Sequence, residues 1–234
     1  MTRLYTLFLL LLSAPLFCQN DFTLEQVLGA PFPSDLTAAP TGDRVAWVFN
    51  DEGARNIWVA EGPNLAARKL TDYTEDDGQA LGDLAFSPDG NHLYFERGGS
   101  PNRQGELPNP GSEPERIGNE LWRIDLGPDT AALLGEGYNP LPSPDGTHLL
   151  FFRRGQPMLL ALTDTAGAEE AFRIRGGVSS PRWSHDGRQL AFSNTRGDHS
   201  YIVLYDLESE EFSFLNPSLH QDSQPVWSPD GRRL

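Results

Sequence analysis

Apolar residues along this chain fall into short runs separated by turn-forming residues, and the runs recur with the same internal spacing. Ser87-Pro88-Asp89-Gly90, Ser143-Pro144-Asp145-Gly146, Ser184-His185-Asp186-Gly187 and Ser228-Pro229-Asp230-Gly231 are copies of one turn, and Ala39-Pro40-Thr41-Gly42 is a degenerate copy. Proline presets φ at the second position, Ser and Asp can bond nearby backbone N–H groups, and Gly accepts positive φ, so each copy predicts a hairpin connection. Three residues past the glycine the side chain is apolar in every copy: Val45, Leu93, Leu149, Leu190 and Leu234. Five past, it is aromatic wherever the chain extends that far: Trp47, Phe95, Phe151 and Phe192. A period of two places these on one face of a strand, with Ala46, Tyr94, Leu150 and Ala191 on the other. Strands apolar on both faces are expected to lie buried between sheets.

An aromatic residue also ends the preceding strand in three copies, as Phe86, Trp183 and Trp227, while Ala38 and Pro142 break the pattern. A third strand is expected at Ile57–Val59, Leu121–Ile124, Met158–Leu162 and Tyr201–Tyr205. A weaker fourth is expected at Arg68–Leu70, Ala132–Leu134, Phe172–Ile174 and Phe212–Phe214. The turn glycines are separated by 48, 56, 41 and 44 residues, the length of a propeller blade. Four strands per repeat predict an all-β protein, a β-propeller of four-stranded antiparallel blades. Its blades should span about 34–72, 80–136, 138–176 and 178–217, with the start of another at 223–234. Residues 20–33 form a lead-in in which Pro31 and Pro33 oppose strand pairing. Because sheets with two apolar faces need neighbours on both sides, the propeller is expected to be incomplete, four blades and part of a fifth.

The amino terminus reads differently. Arg3, the apolar run Leu7–Leu12, then Ser13, Ala14 and Pro15 ahead of Gln19-Asn20 have the three-part pattern of a signal peptide over residues 1–19. This predicts export, to a periplasmic or extracellular place. The run falls short of the roughly 20 residues that span a bilayer, so no membrane span is expected. Bulky Phe17 before Cys18 argues against lipidation of that cysteine. Cleavage there leaves no pair of cysteines, and stability must come from packing. The chain carries 18 basic and 33 acidic residues, a net charge of −15, which becomes −16 once Arg3 is removed. That balance excludes nucleic acid as a partner, since phosphate binding needs clustered cations.

Phrases outside the turns carry a family resemblance. Leu24-Glu25-Gln26-Val27-Leu28, Pro31–Leu36, Arg55–Glu61, Tyr73–Gln79 and Asn194–Ser200 resemble the propeller of bacterial secreted serine peptidases of the prolyl oligopeptidase and dipeptidyl peptidase IV type. The resemblance implies peptide substrates and a following α/β-hydrolase domain as the catalytic partner, with the propeller limiting which peptides reach the site. That domain has no counterpart here: Gly-x-Ser-x-Gly, the strained turn that exposes a nucleophilic serine, occurs nowhere in the sequence. No catalytic residue, metal ligand or cofactor-binding residue is therefore assigned. Glu169-Glu170 lacks the context of the glutamate pair that binds a substrate amino terminus in the dipeptidyl peptidase IV subgroup, and reads as a solvated turn. A non-enzymatic binding scaffold similar to the periplasmic TolB propellers is the alternative.

Few residues stand out as candidate chemistry. His92, His148 and His185 sit in or beside turns with no ligand spacing. Asp198 and His199, in Gly197-Asp198-His199-Ser200 between two strands of the fourth blade, form the candidate docking or substrate-facing loop. Thr74–Gly78 offers carboxylates to a cation but lacks alternating ligands and reads as a loop between blades. The Pro- and Gly-rich span from Gly98 to Gly118 is an insertion, a surface loop or a lid.

Overall fold

The computed structural model describes residues 23–99, 118–163, 167–215 and 217–234. The expected signal peptide, Cys18 and most of the Gly98–Gly118 insertion lie outside the described residues. The described residues divide between Ala30 and Pro31 into two units. In the first, a single helical turn, α1 (Leu24–Leu28), is closed by reciprocal bonds: Gln26 N donates to Thr23 Oγ1 and Thr23 N to Gln26 Oε1, each at 3.1 Å. The Thr-x-x-Gln spacing is a capping box, which satisfies backbone donors that the helix leaves open.

The second unit is a series of four antiparallel four-stranded sheets. Blade one contains β1 (Phe32–Ala38), β2 (Arg44–Asp51), β3 (Ala54–Glu61) and β4 (Ala66–Lys69). Blade two contains β5 (Leu81–Phe86), β6 (His92–Arg97), β7 (Glu120–Asp125) and β8 (Thr130–Glu136). Blade three contains β9 (Tyr138–Pro142), β10 (His148–Arg153), β11 (Gln156–Ala161) and β12 (Glu169–Glu170). Blade four contains β13 (Gly177–Trp183), β14 (Gln189–Arg196), β15 (His199–Asp206) and β16 (Phe212–Leu215). In every sheet the strands lie in sequence order. These are the meandering blades of a β-propeller.

The repeated turn folds alike each time. Ser87, Ser143, Ser184 and Ser228 each donate a hydroxyl to the Asp two residues on, at 2.5 to 2.6 Å, and accept the N–H five residues on at 2.9 Å. The serine hydroxyl is the leading cause that holds the Asp89, Asp186 and Asp230 carboxyls below their usual range. The glycines that follow have φ near +70°, where a Cβ is strained.

Three apolar clusters fill the joints between sheets. Ala46 and Val48 of blade one meet Leu93 and Phe95 of blade two. Tyr94 of blade two meets Leu149 and Phe151 of blade three. Leu150 of blade three meets Leu190 and Phe192 of blade four. The residue three past the glycine thus faces the preceding blade, and the residue four past faces the following one. Leu93–Phe95, Leu149–Phe152 and Leu190–Phe192 are buried on both faces as expected. In β2 one face departs from that expectation: Val45, Trp47 and Phe49 are only half-buried. Trp47, Phe49 and Trp58 instead pack on one another, with ring centroids 5.6 to 6.5 Å apart.

At 223–234 the repeated turn recurs as Ser228–Gly231, without a strand. Trp227 Nε1 reaches Arg182 O at 3.4 Å, as Trp183 Nε1 reaches Leu141 O at 3.0 Å one unit earlier. The preceding segment docks on blade four through Ser200, which forms a parallel bridge with Gln221 and donates its hydroxyl to Asp222 O at 2.6 Å.

Two expectations need correction. Pro33 lies inside β1, opposite Phe49; β1 is an edge strand, where a missing N–H is tolerated. Glu169-Glu170 is not a turn but the fourth strand of blade three, paired with Leu159 and Met158. Phe172, expected in that strand, turns into the joint with blade four, 5.0 Å from Phe192 and 4.7 Å from Tyr205. Its burial outweighs continued pairing at a solvated edge.

Packing at the joints sets an expected mutational contrast. Phe95 is fully buried and stacks on Trp122 at 6.3 Å, so Phe95→Ala should cost about 3–5 kcal/mol in urea unfolding. Leu219 is 87% exposed, and Leu219→Ala should change stability by no more than about 0.5 kcal/mol.

Candidate functional site

The innermost strands carry a second repeat. Asp35, Asp83, Asn139, Ser180 and Gln224 each stand seven residues before a turn glycine, and each has φ between +51° and +57°. Such a backbone is uncommon outside glycine and suits Asp and Asn best. It coincides with a register shift where β1, β5, β9 and β13 pair with their second strands. The bulge turns a polar group toward the neighbouring blade. Asp35 Oδ2 accepts Leu84 N at 3.1 Å, Asp83 Oδ2 accepts Asn139 N at 3.1 Å, and Ser193 Oγ accepts Gln224 N at 3.1 Å. Polar contacts therefore stitch the inner rim while apolar clusters fill the joints.

Blade two concentrates acid at this rim. Glu96, near the end of β6, accepts Asn119 Nδ2 at 2.5 Å and shares a hydrogen bond with Asp83. Burial foremost, then the Asp83 hydrogen bond and charge, push the Glu96 carboxyl up to about 8. Asp35 is raised as well, by burial that outweighs its bond from Leu84 N, with the Asp83 charge adding to it. Burial and the neighbouring Asp83 carboxylate both favour the neutral form of Glu96. The rim can thus bind or release a proton near neutral pH and presents hydrogen-bond acceptors around the inner strands. Neither Asp83 nor Glu96 stands out in the sequence by type. The signal available was the polar residue seven before each turn glycine.

Asp198 and His199 lie at the turn joining β14 to β15. His199 Nδ1 is 2.8 Å from Asp198 Oδ1, and its ring packs edge-on against Tyr201 at 5.0 Å. The Asp198 side chain is 98% exposed and that of His199 is 26% exposed, so the pair is available to a partner. The Asp198 carboxyl is lowered chiefly by its hydrogen bond with His199. Gln221 Nε2 donates to Asp198 O at 3.4 Å, which ties the turn to the start of the next unit.

The remaining candidates are occupied by structural partners. His92 Nδ1 is 2.7 Å from Asp125 Oδ1, and His148 Nδ1 is 2.7 Å from Thr147 Oγ1. Within the Thr74–Gly78 loop, Asp76 pairs with Arg55 at 3.3 Å and Asp77 with Arg97 at 2.5 Å. The Arg97 guanidinium also lies 4.7 Å over the Tyr73 ring. Asn56 fixes the start of this linker by accepting Tyr73 N and donating to Tyr73 O, both at 2.8 Å. Among the described residues no group of three or more His, Cys, Asp or Glu is placed to hold a metal ion. Nor is any described helix long and apolar enough to cross a membrane.

No family model matches the chain. Over 57 residues it is 40% identical to the uncharacterized peptidase YuxL of Bacillus subtilis, a span covering 24% of this chain and 9% of that protein. Among solved structures, TolB from Acinetobacter baumannii superposes with a TM-score of 0.60 at 17% identity, over 86% of this chain and 47% of TolB. A prolyl endopeptidase superposes with a TM-score of 0.58 at 16% identity, over 79% of this chain and 29% of the endopeptidase. The chain thus spans less than half the length of each. At these identities the structural likeness establishes the fold, a β-propeller scaffold, and does not choose between the activities of its neighbours.

The Glu96 site makes stability depend on pH in a defined direction. A carboxyl whose folded value is about 8 against an ordinary 4.5 contributes fully below about 4.5, and that contribution is lost as pH rises through about 8. Urea midpoints of the parent chain should fall across this window. Glu96→Gln should flatten that fall, and an unchanged profile in the variant would remove Glu96 as its cause.

Proposed function

We propose that this chain is the substrate-gating propeller portion of an exported serine peptidase acting on peptides, with chemistry supplied by an α/β-hydrolase domain outside these residues. The observation that carries this reading is the 40% identity over 57 residues to a protein described as a peptidase. The propeller fold shared with a prolyl endopeptidase over 79% of this chain supports it. So does the sequence, whose phrases outside the turns resemble those of the secreted peptidase family. The signal-peptide pattern of residues 1–19 supports export. In this reading the inner rim borders the route by which peptides reach the catalytic domain, and the Asp198–His199 turn is a contact point for that domain or for substrate. A second reading, a scaffold that binds protein without chemistry, has in its favour the likeness to TolB over 86% of the chain.

A fluorophosphonate probe separates the two. An antibody raised against the propeller should detect, in the native cells, a polypeptide larger than 25.9 kDa that the probe labels at a serine. A native polypeptide that the probe never labels would contradict the peptidase reading. In that enzyme, His199→Ala should lower kcat/KM for peptides by roughly threefold to tenfold, as loss of a positioning contact does. The unfolding midpoint should fall only modestly, because His199 lies at the rim of the fold and loses one edge contact with Tyr201.

A further inference from the structure

The joints between blades are built to one plan, and one of them lacks a part. Residues paired across neighbouring strands point to the same face. Val59, Arg123 and Leu159 of the third strands pair with Ala46, Tyr94 and Leu150, each four residues past a turn glycine. On the fourth strands Arg68, Ala132 and Glu169 stand opposite them. All of these positions face the following blade.

In the first joint Arg68 spans to blade two. Its guanidinium lies 2.6 Å from Asp129 Oδ2 and 3.2 Å from Leu126 O, and 2.7 Å from Glu61 Oε1 of its own blade. In the second joint the guanidinium comes from the third strand. Arg123, 2.9 Å from Asp125, lines the cleft that Asp145 borders from blade three. In the third joint the same two positions are Leu159 and Glu169, and neither is a cation.

The receiving side is nevertheless kept. Leu207 corresponds to Leu126, since the N–H of each bonds to the carbonyl of the residue after a turn glycine, Arg188 and Asn91. Glu210 corresponds to Asp129, three residues further on, with φ of +58° against +55°. Leu159, Glu169, Leu207 and Glu210 all line an open cleft of about 470 Å³, joined by Glu208 and Asp145. Arg188 borders it from the blade-four turn, and Glu170, also on its wall, is held by Arg173 at 2.8 Å. The fourth strand is also short here: β12 spans two residues where β4 spans four and β8 seven. It pairs with Met158 and Leu159 of β11, and just beyond it Ala171 N donates to Pro157 O at 2.9 Å.

We propose that the cleft between blades three and four binds an arginine side chain presented by an extended peptide segment of a partner protein. Its guanidinium takes the place that Arg68 holds in the first joint. The Leu207 carbonyl and the Glu210 carboxylate supply acceptors for a planar fork, which suits guanidinium better than ammonium. Leu159 and Leu207 cover the aliphatic stem. This proposal stands whether or not the chain belongs to a peptidase.

The test is calorimetric titration of the full chain, at physiological salt, with acetyl-Ala-Leu-Arg-Leu-Ala-amide and with the same peptide carrying citrulline, which keeps the shape and removes the charge. The arginine peptide should bind, and the citrulline peptide should bind at least about tenfold more weakly. Glu169→Arg refills the cleft from within as Arg68 does, and should abolish binding while leaving the thermal midpoint at or above that of the parent. Glu210→Gln, a smaller change, should weaken binding roughly fivefold and guards against misfolding of the first variant. Equal binding of the two peptides, no binding of either, or unchanged binding in both variants overturns the proposal.

Discussion

Each blade of this protein is apolar on both sides of its second strand, and neither side can be satisfied within its own sheet. Alternation along a strand sends Leu93 and Phe95 one way and Tyr94 the other. A sheet built this way is stable only between two others. Everything else in the structure answers that constraint. The Ser-Pro-Asp-Gly turns fix the register that sets which face is which, and the inner-strand bulges aim polar groups at the neighbouring blade. Ion pairs such as Arg68–Asp129 close the periphery of a joint at 2.6 Å. On the Trp47 face of blade one, which no other described blade covers, three aromatic rings pack on one another and stay half-exposed.

Features set by local chemistry were legible in the sequence. The turn needs particular residues at particular places, and the second strand needs period-two apolarity; both survive as letters at fixed offsets from Gly42, Gly90, Gly146, Gly187 and Gly231. The indole anchors of Trp183 and Trp227 were visible for the same reason. What escaped depends on contacts between blades. Phe172 reads as a strand residue until Phe192 and Tyr205 are placed beside it. Glu169-Glu170 reads as a turn because two charged residues have no apolar period to betray a solvated edge strand. Asp83 and Glu96 are thirteen residues apart on different strands, and only the bulge brings their carboxyls together. Pro33 was excluded from a strand by a rule that applies to central strands rather than edges.

The blades share a frame and differ in what they place on it. Arg68 bridges the first joint, and Arg123 lines the second while bonded to Asp125 of its own strand, whereas the third keeps the acceptors and carries an acid in place of Arg68. At the inner rim, blade two pairs Glu96 with Asp83, and blade four presents Ser180 at the corresponding position. Departures of this kind, on a scaffold whose packing is otherwise repeated, are where functional sites are expected. The proposed gating role draws on the same frame, because a propeller that holds its rim rigidly can admit peptides by size.

The dependence of each blade on two neighbours is tested most directly by amide hydrogen exchange of the chain. β6 and β10, covered on both faces, should exchange through the largest opening free energy, and β2, with its Trp47 face half-exposed, through a measurably smaller one. Equal protection of β2, β6 and β10 would show that a single covered face is enough, and would contradict the account.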